Sequence, residues 1–335
     1  MNRNNFYCDP AFPVVRMRRL RKSAAIRELL QETRLSVRDL ICPIFVQDGI
    51  DIPVCIDSMP DIQRIPISNL INEIQQVIDL GIRGIILFGI PSYKHDDGNT
   101  AYSSTGIVQR SVDLIRKNFG DRIAIITDVC LCQYTTHGQC GVVVRDSVDN
   151  DKSIEILAKV ALSHAKAGTD IVAPSAMMDG QVGQIRKVLD ENGFSDVSIM
   201  GYSAKYASAL YTPFRDASSS SPRSGDRSSY QLPFYNSREA IREIELDIKE
   251  GADIIMIKPA IPFLDLIYQA RKNTNLPICA YSVSGEYSLI KAAATEGWIN
   301  ENNVMTEFLT SIKRAGSDII ITYHAKRMAA LLSNL

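Results

Sequence analysis

Two lysines and three cysteines are the residues of this chain whose types and placement suggest chemistry. Lys258 ends the apolar run Asp253–Ile257 and is followed by Pro259. A lysine at the end of a buried strand either snorkels to solvent or loses part of its charge, because burying an ammonium is costly. A neutral amine there is a nucleophile suited to forming a Schiff base with a carbonyl substrate. Lys205 lies just past the apolar run Val197–Gly201, in Tyr202-Ser203-Ala204-Lys205-Tyr206. If the two runs are neighbouring strands, the two ammonium groups meet at one face and each disfavours the other's charge. The third feature begins at Asp128 and places Cys130, Cys132 and Cys140, three of the seven cysteines, within eleven residues. Three thiolates leave a tetrahedral zinc one open position for water or substrate, whereas a structural site closes with a fourth ligand, for which His137 is the candidate. The Cys-x-Cys spacing is not the usual structural knuckle and favours the open site. Asp128 reads as a proton carrier, as an anchor behind the ligands, or as a polar strand end.

The elements that must position these residues alternate. Short β-branched runs at Leu40–Val46, Gly84–Gly89, Ile123–Val129, Asp170–Pro174, Val197–Gly201, Asp253–Ile257, Pro277–Tyr281 and Asp318–Thr322 are nearly continuous in apolar character, as in parallel strands covered on both faces. Helical spacing separates them: Leu70, Ile74, Val77 and Ile78 share one face, as do Ile154, Leu157, Val160 and Ala161. The phrase Ala-Gly-Thr/Ser-Asp-Ile recurs at 167–171 and 315–319, with a close variant at 251–254, each reading as helix end, glycine turn and buried strand. Eight such units predict a (β/α)8 TIM barrel, and no Gly-x-Gly-x-x-Gly after an early strand supports a dinucleotide fold. The barrel is expected to span 36–335. Residues 1–35, with Arg16, Arg18, Arg19, Arg21 and Lys22, read as a solvated or subunit-contacting arm. The Ser-rich stretch 212–236, following the fifth strand, reads as a lid over the face where barrel enzymes keep their chemistry.

The chain has 335 residues, 45% hydrophobic and 22% charged, with 37 basic and 38 acidic side chains. This balance supports a full core and argues against a nucleic-acid or membrane-surface partner. No apolar run reaches membrane-spanning length, and no signal peptide is recognisable, so a cytoplasmic location is expected.

Several segments together resemble one family. Asp128–Gly141, Tyr202–Ser208 leading to Pro213-Phe214-Arg215, and Met256-Ile257-Lys258-Pro259-Ala260 are similar to delta-aminolevulinic acid dehydratases. So are Ala173–Gly180, Val283-Ser284-Gly285-Glu286-Tyr287, Ser311–Gly316 and Arg18-Arg19-Leu20-Arg21. The resemblance covers nearly the whole chain in order. It implies condensation of two 5-aminolevulinate molecules to porphobilinogen with loss of two waters, in tetrapyrrole synthesis. By the same resemblance both Lys258 and Lys205 form Schiff bases, on the propionate-side and acetate-side substrates respectively, and Cys130, Cys132 and Cys140 hold a catalytic zinc. Arg215, Arg227 and Gln231 would hold one substrate carboxylate, and Ser284 and Tyr323 the other. Glu243 would belong to an allosteric magnesium site, and the arm would build a homo-octamer. Gln139 stands where many zinc-type members have histidine, which argues against an auxiliary metal contact there. A class I aldolase barrel accounts for Lys258 but not for the second lysine or the cysteines. A zinc-stabilised scaffold without turnover would hold its metal closed and leave both lysines unperturbed.

Overall fold

The computed structural model describes residues 12–333. Internal contacts divide the chain into one unit ending at Arg34 and another spanning Leu35–Leu335. The described part of the first unit contains a short 3-10 helix, Met17–Arg21, and the helix Ala24–Leu29, which Ser23 caps by accepting from the Ile26 N–H. Neither helix buries a residue. Residues 1–11 of the expected arm lie outside the described residues.

The second unit is a closed parallel barrel. Its strands, numbered here in barrel order, are β1 (Leu40–Gln47), β2 (Gly84–Ile90), β3 (Ala124–Val129) and β4 (Ile171–Pro174). They continue as β5 (Ser198–Lys205), β6 (Ile254–Lys258), β7 (Ile278–Ser282) and β8 (Ile319–Thr322). Each pairs in parallel with the next, and β8 returns to β1 through Leu40↔Ile320 and Ile41↔Ile321. The eight-strand (β/α)8 expectation therefore holds. Alternate side chains explain why the strands are apolar on both faces. Ile41, Phe45, Ile86, Phe88, Ile126, Met200, Tyr202, Met256 and Ile321 fill the barrel interior. Leu40, Ile44, Ile85 and Leu87 pack outward with Ile74 and Val77 of the helix Leu70–Asp79.

Three local features shape the surroundings of the two lysines. First, β5 does not stop at Gly201 but continues through Lys205, because it carries an extra residue: Ile255 pairs with Gly201, whereas Ile257 pairs with Ala204. Second, the stretch 212–236 is not wholly a loop, since it opens with the helix Thr212–Ala217, begun by Pro213 in its first turn. Third, the helix Ser284–Thr295 has Val283 as its N-cap and Ser284 as its first helical residue.

Candidate active site

The bulge in β5 decides where Lys205 points. Met200 and Tyr202 face the barrel interior, and unbroken alternation would send Ala204 inward and Lys205 outward. The extra residue inverts the phase, so Ala204 and Tyr206 join the outer core and Lys205 turns inward. It then lies directly beside Lys258 in register, and both lysines are 5% exposed.

Around them closes a small chamber lined by Phe88, Asp128, Cys132, Ser175, Tyr211, Phe214 and Arg227. Lys258 Nζ lies 4.3 Å from the Tyr281 ring centre, 5.1 Å from those of Tyr211 and Phe214, and 5.2 Å from that of Tyr202. Burial, and then the neighbouring Lys205 charge, lower the Lys258 pKa to about 7. Lys205 Nζ donates to the Ser175 carbonyl. Asp128 faces both lysines. Burial raises its pKa, while Lys205, hydrogen bonds from Ser175 and Gln133, and Lys258 oppose that rise.

Cys130, Cys132 and Cys140 converge beside the chamber, all buried, with their sulfurs within 4.8 Å of one another. The Sγ atoms of Cys130 and Cys132 are 3.4 Å apart. Three buried sulfurs this close fit one thiophilic cation better than three separate thiols, and Zn2+ suits such a donor set. His137 does not join them: its Nδ1 accepts from the Gln139 N–H and its Nε2 faces the Asp96 carbonyl. Among the described residues, only the three cysteines form such a group.

The segment 212–236 is fastened to the cysteine loop at several points. Arg227 Nη2 donates to the carbonyls of Gly138 and Ser220, at 2.8 and 2.6 Å. The Arg223 N–H reaches the His137 carbonyl at 3.1 Å. Gln139 donates through Nε2 to the carbonyls of Ser224 and Asp226 and accepts from the Tyr230 hydroxyl at 2.6 Å. Gly138 is required at this seam: its φ is +71°, and a Cβ would come within 2.5 Å of the Ser221 carbonyl oxygen. Removing the seam's side-chain bonds with Gln139→Ala is expected to raise KM about five- to tenfold, with a smaller change in kcat. Steady-state kinetics on the metal-loaded variant measure this split.

The other residues singled out in the sequence are placed at varying remove. Arg215, part-buried, lies within charge range of Arg227, Cys140 and Cys132, and its buried Nε has no hydrogen-bond partner. Ser284 Oγ accepts from the N–H of Phe214, whose ring lines the chamber. Tyr323 is joined through its hydroxyl to that of Tyr281, at 3.0 Å, and Tyr281 in turn faces Lys258. Gln231 does not line the chamber. It lies with both amide atoms buried and unpartnered on a separate cavity of about 520 Å3. Glu243 lines that same cavity with Asp179, Glu239 and Asp247, and burial followed by Asp179 raises its pKa. Asp247, which shares its helix face, is pushed up to about 7 mainly by burial. The chamber itself measures only about 10 Å3. Sequence reasoning assigned no role to Tyr202, Tyr211 or Tyr281. They lie on interior positions of ordinary aromatic character, and nothing in their spacing distinguishes a wall from a core.

Residues 14–331 match the family model of delta-aminolevulinic acid dehydratase. The chain belongs to that family. A delta-aminolevulinic acid dehydratase from Archaeoglobus fulgidus is 54% identical over 96% of this chain and 99% of its own length. The Bacillus subtilis dehydratase is 48% identical over 95% and 98%. A crystal structure of the dehydratase from Toxoplasma gondii, in complex with the reaction product porphobilinogen, superposes with a TM-score of 0.93 at 40% identity. It covers 96% of this chain and 92% of the other. Among the described residues no helix is long and apolar enough to cross a membrane.

Proposed function

We propose that this delta-aminolevulinic acid dehydratase family member is a porphobilinogen synthase, a hydro-lyase joining two 5-aminolevulinate molecules with loss of two waters. The observation that carries the reading is the in-register pair Lys205 and Lys258, buried together beside three convergent cysteines. Lys258, with its pKa near neutrality, offers a free amine to the ketone of one substrate, and Lys205 takes the other. The aromatic walls of Tyr202, Tyr211, Phe214 and Tyr281 exclude water, so that an iminium on either lysine survives long enough to react. Holding both substrates on adjacent strand ends makes their union effectively intramolecular. Asp128 faces both amines and is placed to hold or pass a proton between them and the substrate carbons.

Cys130, Cys132 and Cys140 would hold the metal, and zinc bound there supplies Lewis-acid polarisation of an oxygen of the second substrate. Arg215 and Arg227 would take one substrate carboxylate as the lid closes, with Gln231 joining them only by turning from its separate cavity, and Ser284 and Tyr323 would take the other, guanidinium forks suiting carboxylates. Glu243 would belong to an allosteric Mg2+ site, on a cavity it lines with Asp179, Glu239 and Asp247. The basic arm would contact a second copy in a homo-octamer, and the chain would work in the cytoplasm.

Borohydride trapping with 5-aminolevulinate, mapped by peptide mass on zinc-loaded and zinc-stripped protein, tests the core of this reading. Adducts on Lys258 or Lys205, with pyrrole made only by the loaded sample, are expected. No adduct and no pyrrole in zinc-replete protein would overturn it. Glu243→Ala is expected to abolish stimulation by added Mg2+ while leaving the zinc-dependent rate within about twofold. A titration of rate against Mg2+ checks this.

A further inference from the structure

The first turn of the helix Ser284–Thr295 touches two parts of the site at once. Ser284 Oγ accepts from the Phe214 N–H at 3.0 Å and donates to the Leu210 carbonyl at 3.2 Å. Gly285 lies flush against the same segment, where an added Cβ would come within 2.6 Å of the Leu210 Cα and carbonyl oxygen. Glu286, only 2% exposed, reaches the other way. Its Oε1 accepts from the N–H groups of Ala260 and Ile261, at 3.1 and 3.0 Å. These are the first two N–H groups after Lys258, since Pro259 has none. The Lys258 carbonyl is held in turn by the Tyr206 N–H at 2.9 Å and the Tyr211 hydroxyl at 3.1 Å.

A buried carboxyl group is a costly way to satisfy two backbone donors. Only Oε1 is paired, since Oε2 is buried without a hydrogen-bond partner, and burial raises the Glu286 pKa to about 7 against the opposing pull of the nearby Ile261, Ala260 and Val283 N–H groups and the Ser282 hydroxyl. What this arrangement secures is a fixed backbone at the Lys258 carbonyl and just after it. We infer that Glu286 is a positioning residue for Lys258, and that the turn it shares with Ser284 ties the place of that amine to the base of the lid at Leu210–Phe214. The inference rests on Lys258 being the Schiff-base lysine proposed above. Glu286 acts on the reaction only through the strand end it holds.

The test is borohydride trapping with 5-aminolevulinate on the zinc-loaded protein, reading the adducts at Lys258 and Lys205 separately. Glu286→Gln keeps a carbonyl acceptor and is expected to trap at Lys258 within about threefold of wild type. Glu286→Ala is expected to lose about 100-fold in Lys258 trapping, the scale of a small misplacement of a reacting group. Its kcat should fall in step, KM should stay nearly constant, and trapping at Lys205 should persist. Tyr211→Phe removes the hydroxyl from the Lys258 carbonyl and should give the same selective deficit, about tenfold. If circular dichroism shows that Glu286→Ala does not fold, Glu286→Asp, one methylene too short, takes its place. Wild-type trapping at Lys258 in Glu286→Ala (or Glu286→Asp) and Tyr211→Phe, or equal losses at both lysines, overturns the inference. If the wild-type protein itself shows no adduct at Lys258 while Lys205 is labelled, the role given to Lys258 falls first, and the inference falls with it.

Discussion

Lys258→Met is expected to abolish porphobilinogen formation, by about four orders of magnitude or more, and at the same time to make the protein more stable. The loss follows from removing the amine that forms the covalent intermediate. The gain follows from the position of that amine. In the unfolded chain Lys258 has its ordinary pKa of 10.5, while burial and the Lys205 charge bring it to about 7 in the folded protein. Between those two values the unfolded state binds a proton that the folded state does not, so stability rises with pH across the window. The penalty is fully present below about pH 7 and disappears above about pH 10.5. At neutral pH it is on the order of 4–5 kcal/mol, which methionine removes while keeping most of the side-chain volume. Thermal unfolding at pH 7 should therefore show a midpoint raised by several degrees. The same shift sets the pH dependence of imine trapping in the wild-type protein. The rate should rise through about pH 7 as the amine loses its proton and then level off. Lys205→Met should move that midpoint upward, because the charge that helps depress Lys258 is gone. A trapping midpoint that stays near 10 in the wild-type protein would contradict the geometry.

Metal removal should have the second largest effect. Alanine at Cys130, Cys132 or Cys140 is expected to drop bound zinc from about one ion per chain to below about a tenth, since two thiolates leave the tetrahedral site without its third protein ligand. Pyrrole formation should fall by at least about a thousandfold. Trapping of 5-aminolevulinate on Lys258 should survive, because the amine is activated by burial and by Lys205 rather than by the cysteines. Metal analysis, product assay and adduct mapping on the same samples separate the three effects. Chelation of the wild-type protein should reproduce them and lower the unfolding midpoint, because an ion bound only by the folded state stabilises it. Lower pH should weaken the metal, as thiolates must be deprotonated to bind.

Much of this architecture was legible in residue order. Strand runs, helix faces and glycine punctuation are set by alternation and local backbone preference, and these specified eight units and a barrel. The cysteines were legible for a related reason. Cys130, Cys132 and Cys140 lie on one short loop, so their convergence needs little beyond local chain geometry. Lys258 was legible because a charge ends an otherwise apolar strand.

Lys205 marks where local reading stops. Alternation carries side-chain direction along a strand only until a bulge intervenes, and the extra residue between Gly201 and Ala204 exists only as a mismatch with β6. It is a property of two paired strands and has no signature in either alone. The seam from Gln139 to Ser224, Asp226 and Tyr230, and the grip of Glu286 on Ala260 and Ile261, are of the same kind. They join residues far apart in sequence that barrel closure brings within hydrogen-bond reach. The sequence by itself determined which chemistry this chain carries and on which scaffold, because residue type and short-range spacing suffice for that. Only the tertiary structure decided which way Lys205 faces, that the segment 212–236 lies against the cysteine loop, and what holds the Lys258 strand end, because each depends on a partner from another part of the chain.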